Sequence, residues 1–136
     1  MRKIKFRGKT MDTGEWVFGD LLQYRVLPII FDKNKEQHDV SGKTVGQFTG
    51  LYDKNGTEIY EGDVLRKDWA ETFNYYEIEF KDGAWLAFEM INFRHGSTIV
   101  SEFNALPGCL PRSMWKFAKV IGNIHDNPDI YETLMK

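Results

Sequence analysis

Asp53-Lys54-Asn55-Gly56-Thr57-Glu58-Ile59-Tyr60-Glu61-Gly62-Asp63-Val64 places two chain reversals close together, with a short apolar run between them. Asn55-Gly56 is a hairpin-turn dipeptide, because both residues tolerate positive φ where the chain must reverse sharply. Gly62-Asp63 resets the backbone before Val64-Leu65, where a new strand is expected to start. The pattern defines an architecture and says little about chemistry.

Outward from this stretch, the same signals recur. Tyr75-Tyr76-Glu77-Ile78-Glu79-Phe80 alternates, Asp82-Gly83 is a tight-turn pair, and Ala84-Trp85-Leu86-Ala87-Phe88-Glu89 pairs back as a second hairpin. Val64 to Arg66 reads as a strand, Lys67 to Asn74 as a loop, and Ser97 to Val100 as a further short strand. Asn104 to Arg112, with Pro107-Gly108 and Pro111, reads as irregular, and Lys119 to Ile124 as the last strand. Asn127-Pro128 then starts a short helical turn in which Ile130 and Leu134 share a face.

On the N-terminal side, Lys3-Ile4-Lys5-Phe6-Arg7 alternates cation and apolar residue, so Ile4 and Phe6 are expected inward and the cations outward. A turn over Asp12 to Glu15 leads into Trp16 to Leu22, completing a first hairpin. Leu27 to Phe31 is a third strand, expected at an edge because Pro28 cannot donate to a ladder. Asp32 to Gly42 reads as an exposed polar loop, and Thr44 to Leu51 resumes strand character.

These spacings predict an all-β chain in three parts. Residues 1–50 form a β unit and residues 51–127 a small five-stranded SH3-like barrel, with its strands between about 52 and 124. Residues 128–136 are a tail with one helical turn. The first unit holds too little apolar surface to stand alone, so it is expected to pack on the barrel or on a neighbouring subunit.

A chain of 136 residues with 42% hydrophobic and 28% charged residues is globular in composition, and 15% aromatics favour β structure. A formal charge of −2 gives no global attraction to nucleic acid or an anionic membrane. The longest apolar run, Val26 to Phe31, is too short to cross a bilayer, and no signal-peptide pattern opens the chain. A lone Cys109 suits a reducing compartment, so a cytoplasmic location is expected.

Three blocks at the start, middle and end carry a family likeness. They are Ile4-Lys5-Phe6-Arg7-Gly8-Lys9 with Gly14-Glu15-Trp16-Val17-Phe18-Gly19; Thr44-Val45-Gly46-Gln47-Phe48-Thr49-Gly50-Leu51 running through Asp53-Lys54-Asn55-Gly56 to Ile59-Tyr60-Glu61-Gly62-Asp63-Val64; and Val120-Ile121-Gly122-Asn123-Ile124 before Asn127-Pro128. This pattern resembles the YopX family of phage and prophage proteins. His125-Asp126 departs from it, standing where the family usually carries an aromatic and an acid. The resemblance implies an all-β fold and a phage or prophage origin. It implies no activity, and no catalytic residue is carried over.

The residues themselves offer few reactive constellations. Glu58, Glu61 and Asp63 form a weak candidate group for a hard cation, but the simpler reading gives Asp63 a turn role, accepting backbone N–H bonds. His38, His95 and His125 are scattered, without zinc-ligand spacing, and Cys109 has no neighbouring base. No metal or cofactor is expected. Arg2, Lys3, Lys5, Arg7 and Lys9 are the candidate nucleic-acid-binding residues; their bland reading is an edge strand protected by charge. Trp16, Tyr52, Tyr60, Tyr75, Trp85 and Phe88 read as packing residues, and Trp69 and Trp115 as exposed.

The resulting expectation is a non-enzymatic interaction or assembly module that self-associates, with a phage or host protein as a further partner and no membrane. The alternative is a nucleic-acid-binding accessory protein using the basic first strand.

Overall fold

The computed structural model describes residues 2–23, 26–69, 71–92, 99–103 and 117–134. Its elements are β1 (Phe6–Lys9), β2 (Trp16–Leu22), β3 (Ile29–Phe31), β4 (Gln37–Asp39), β5 (Gly46–Tyr52), β6 (Glu58–Tyr60), β7 (Asp63–Trp69), β8 (Thr72–Lys81), β9 (Ala84–Asn92), β10 (Ile99–Phe103), β11 (Ala118–Asn123) and one short helix, α1 (Ile130–Leu134). Among the described residues the structure is all-β apart from that helix and a 3-10 turn at Gly42–Thr44. It divides into two compact units, Met1–Gly50 and Leu51–Lys136.

In the first unit the strand order is β4-β3-β2-β1-β5, all antiparallel where paired. Arg7 stands opposite Phe18 and Lys9 opposite Trp16. Ile29, Ile30, Val40 and Phe48 are its buried apolar residues. Gly8 lets Val40 and Ile30 close over β1: a Cβ there would meet Val40 at 3.1 Å and Ile30 at 3.2 Å.

Two expectations for this unit are corrected. β3 is an interior strand between β2 and β4, not an edge. Pro28 lies just outside it and contributes only its carbonyl, which accepts Val40 N–H at 3.0 Å. The polar stretch 32–42 is not a plain loop, because Gln37–Asp39 folds back on Ile29–Phe31 as β4. The missing signal is that β4 is a narrow edge strand whose pairing comes from its partner, not from its own apolar residues.

β5 continues across the boundary at Gly50–Leu51 and turns into β6. The turn differs from a two-residue reversal. Gly56 has φ +80°, whereas Asn55 keeps negative φ, and the loop runs from Asp53 to Thr57 with Asp53 N–H donating to Thr57 O at 2.9 Å. The Asp82-Gly83 turn is the tight mirror-image kind, with φ +53° and +79° and Lys81 opposite Ala84.

The second unit carries a five-stranded antiparallel sheet, in the order β10-β9-β8-β7-β11. Closure into a barrel is not seen among the described residues. Leu65, Tyr76, Ile78, Ala87, Ala118 and Ile59 pack as one core, with Leu51, Trp85 and Val120 at its margin. On the other side Val64 packs with Ile130 of α1, joined by Tyr75, Ile121, Ile124 and Leu134. The helix therefore covers one sheet face because its apolar residues recur at helical spacing.

The predicted loop from Lys67 to Asn74 is also corrected. Lys67 pairs with Asn74, Asp68 with Phe73 and Trp69 with Thr72, so the hairpin runs through it. Arg66 lies 4.2 Å from the Phe73 ring centroid and bonds Asp68 at 3.0 Å, which ties this polar end together. β10 begins at Ile99, and the region expected to be irregular, 104–112, lies outside the described residues. Among the aromatics read as packing residues, Tyr60 and Phe88 are buried and Trp16, Tyr75 and Trp85 half-buried, whereas Tyr52 is 48% exposed. No helix of the described residues is long and apolar enough to cross a membrane.

Candidate functional site

Among the described residues, the first unit gathers the most chemistry. Lys5, just before β1, and Arg7 and Lys9 on it lie among the rings of β2 and β5. The Arg7 guanidinium carbon is 4.5 Å from the Trp16 centroid, and Lys9 Nζ is 5.4 Å from the same ring. Lys5 Nζ is 6.0 Å from Phe18 and 5.9 Å from Phe48. Such contacts hold a cation by the ring's quadrupole while its stem covers apolar surface.

Alternation along β1 thus separates two sides, but the cationic side is not simply solvent. Arg7 is only 7% exposed, whereas Ile4, expected inward, is 55% exposed. The covering rings come from other strands, so the sequence of β1 alone could not show this. Arg2 and Lys3 are exposed, and Lys5 and Lys9 are half-buried.

A groove of about 410 Å³ lies nearby, lined by Thr10, Met11, Asp12, Ile29, Gln37, His38 and Asp39. The β3–β4 turn sits beside it. Asp32 Oδ1 accepts the backbone N–H of Asn34 at 2.8 Å and of Glu36 at 3.0 Å, and Asp32 Oδ2 lies 2.9 Å from His38 Nε2. The His38 bond and these backbone donors hold the Asp32 carboxyl below its ordinary pKa. Asp12 is likewise lowered, chiefly by the Thr13 N–H at 2.7 Å, with a small Coulombic contribution from His38. Donor atoms of Asp32, Glu36 and His38 all lie within 4.8 Å of one another.

Sequence reasoning misses this group because 32–42 reads as an exposed loop and His38 is compared only with the other histidines. The available signal was Asp32-x-Asn34-x-Glu36-x-His38, with donor residues at every second position. The structure treats the earlier acidic candidates differently. Asp63 is 1% exposed and accepts Tyr60 N–H at 2.7 Å, while Glu58 accepts the Tyr60 hydroxyl at 3.4 Å. His125 accompanies Gly62, whose Cβ position would fall 3.3 Å from His125 Nε2. His95, Cys109 and Trp115 lie outside the described residues, as does the side chain of Trp69.

Comparison with known proteins places the whole chain. A family model described as YopX protein matches residues 5–132, so the chain belongs to that family. The crystal structure of protein EF1440 from Enterococcus faecalis is similar, with a TM-score of 0.56 and 24% identity, over 96% of this chain and 99% of that one. At that identity the likeness speaks to the fold. No curated protein matches.

Proposed function

We propose that this YopX-family chain is a non-enzymatic interaction module of phage or prophage origin that self-associates through its first unit. The observation that supports it is apolar exposure in residues 1–50: Ile4, Phe18, Leu22, Val26 and Leu27 are exposed. Phe18 and Leu22 share one side of β2 by strand alternation, beside the cation-covered Trp16. A small unit that leaves such side chains in water gains by pairing with a second copy or another protein. The non-enzymatic reading is in keeping with the structural work done by Asp53 and Asp63, whose carboxylates hold backbone N–H groups.

In the second unit, β7 to β10 form a meander and β11 returns beside β7, an order that supports an SH3-like reading. The single cysteine is in keeping with work in a reducing cytoplasm. Light scattering at micromolar concentration tests the assembly. The parent chain is expected to form an oligomer, and a Phe18→Ser/Leu22→Ser variant a folded monomer. A monomeric parent overturns self-association.

A second reading, binding of single-stranded nucleic acid, is favoured by Lys5 and Lys9 flanking Phe18 and Trp16 and by the exposed Arg2 and Lys3. It predicts a gel shift at low salt that weakens with added salt and with Arg2→Glu/Lys3→Glu. No shift by the parent chain removes it.

A further inference from the structure

We infer that Asp32, Glu36 and His38 form a binding site for one divalent transition-metal ion of the zinc class. Three features of the turn carry this. First, the donor set is mixed: one imidazole nitrogen and two carboxylates suit a borderline ion such as Zn²⁺ better than Mg²⁺ or Ca²⁺, which select oxygen alone. Second, the spacing is close to what such an ion needs. Donors around a tetrahedral zinc, with bonds of about 2.0–2.1 Å, stand roughly 3.3 Å apart. Asp32 Oδ2 and His38 Nε2 already stand 2.9 Å apart, so a small widening admits the ion. Glu36 is exposed and can swing to complete the set, its donor atom lying within 4.8 Å of the other two.

Third, the site is pre-organised and negatively biased. Asp32 Oδ1 is fixed by the N–H groups of Asn34 and Glu36, which leaves Oδ2 directed at the imidazole. Asp12 and Asp39 line the groove along with His38, adding two further carboxylates around one imidazole. Lys33 and Lys35 lie in the turn itself and temper that charge. On binding, neutral His38 presents its Nε2 lone pair and keeps its proton on Nδ1, while the carboxylates bind ionised. The groove beside His38 leaves room for water or a small anionic ligand on the ion.

Calorimetric titration of the full chain with ZnCl₂, in a buffer that does not chelate, tests the assignment. One ion per chain is expected, with binding weakened at least tenfold by His38→Ala and by Glu36→Gln. Glu36 is exposed, so its variant stays folded and keeps the test decisive. In ¹⁵N spectra the His38 ring resonances are expected to move before those of His95 and His125. No heat with Zn²⁺, unchanged binding in both variants, or equal binding of Mg²⁺ overturns the proposal.

Discussion

Asp53 Oδ2 accepts the backbone N–H of Val120 at 2.9 Å, across a sequence separation of 67 residues. The other oxygen of the same carboxylate accepts Asn55 N–H at 2.8 Å and Thr57 N–H at 2.9 Å. One side chain therefore closes the β5–β6 turn and seats the last strand against it. Lys54 N–H donating to Ala118 O at 2.9 Å reinforces the same seam.

Asp53→Ala removes all three acceptor bonds from a site only 7% exposed. Hydrogen bonds to a charged group are worth more than neutral ones, and the orphaned N–H groups add a desolvation cost. The variant is expected to lose about 3 kcal/mol. Asp53→Asn keeps one carbonyl oxygen and should lose roughly half as much. Urea denaturation of the two variants checks the order; equal midpoints for Asp53→Ala and the parent chain would refute it.

Gly19 is the glycine on which the first unit depends. Its φ is +156°, and a Cβ there would lie 1.8 Å from the carbonyl oxygen of Phe31. Because the obstacle is backbone, Gly19→Ala must part β2 from β3. A loss of roughly 4 kcal/mol or more is expected. Gly14→Ala, at φ +73° but with nothing within 4 Å, should cost only about 1 kcal/mol. Thermal unfolding of both variants makes the comparison.

The acid side of the stability curve should carry the mark of Asp12 and Asp32. Both carboxyls lie below their ordinary value of 3.8 in the folded chain. Each therefore contributes stability that is fully present above the unfolded pKa and lost as pH falls through the lower folded value. NMR titration should place both groups below 3.8. Thr10→Val should bring Asp12 partly back, and His38→Leu should do the same for Asp32.

Arg7→Lys keeps the charge and loses the flat guanidinium over Trp16, whose ring it approaches to 4.5 Å. A loss of about 1 kcal/mol is expected, together with a change in Trp emission. An unchanged unfolding midpoint would mean that the stack contributes nothing beyond burial.

How much of this was legible in the chain depends on where each cause resides. Asp82-Gly83 reads directly, since the turn's backbone angles are a property of those two residues. The extension of β7 and β8 through Lys67 and Asn74 does not, because polar residues become strand only when a partner strand supplies the ladder. Arg7 reads as outward on its own strand and is buried, with the Trp16 ring contributed by β2 against its guanidinium. Asp32, Glu36 and His38 show their spacing in the sequence, but their convergence depends on β4 folding back on β3.

The position of β11 bears on how the chain comes off the ribosome. β7, β8 and β9 can zip together as soon as Asn92 has emerged, by contacts between near neighbours. The far margin of β7 stays open until Ala118 to Asn123 arrive, since β11 is what covers it. Until then a nascent or truncated chain presents a row of unsatisfied N–H and C=O groups to any other strand it meets. Premature stops before Ala118 should therefore yield aggregates, whereas cuts after Leu134, which keep both β11 and α1 in place, should not.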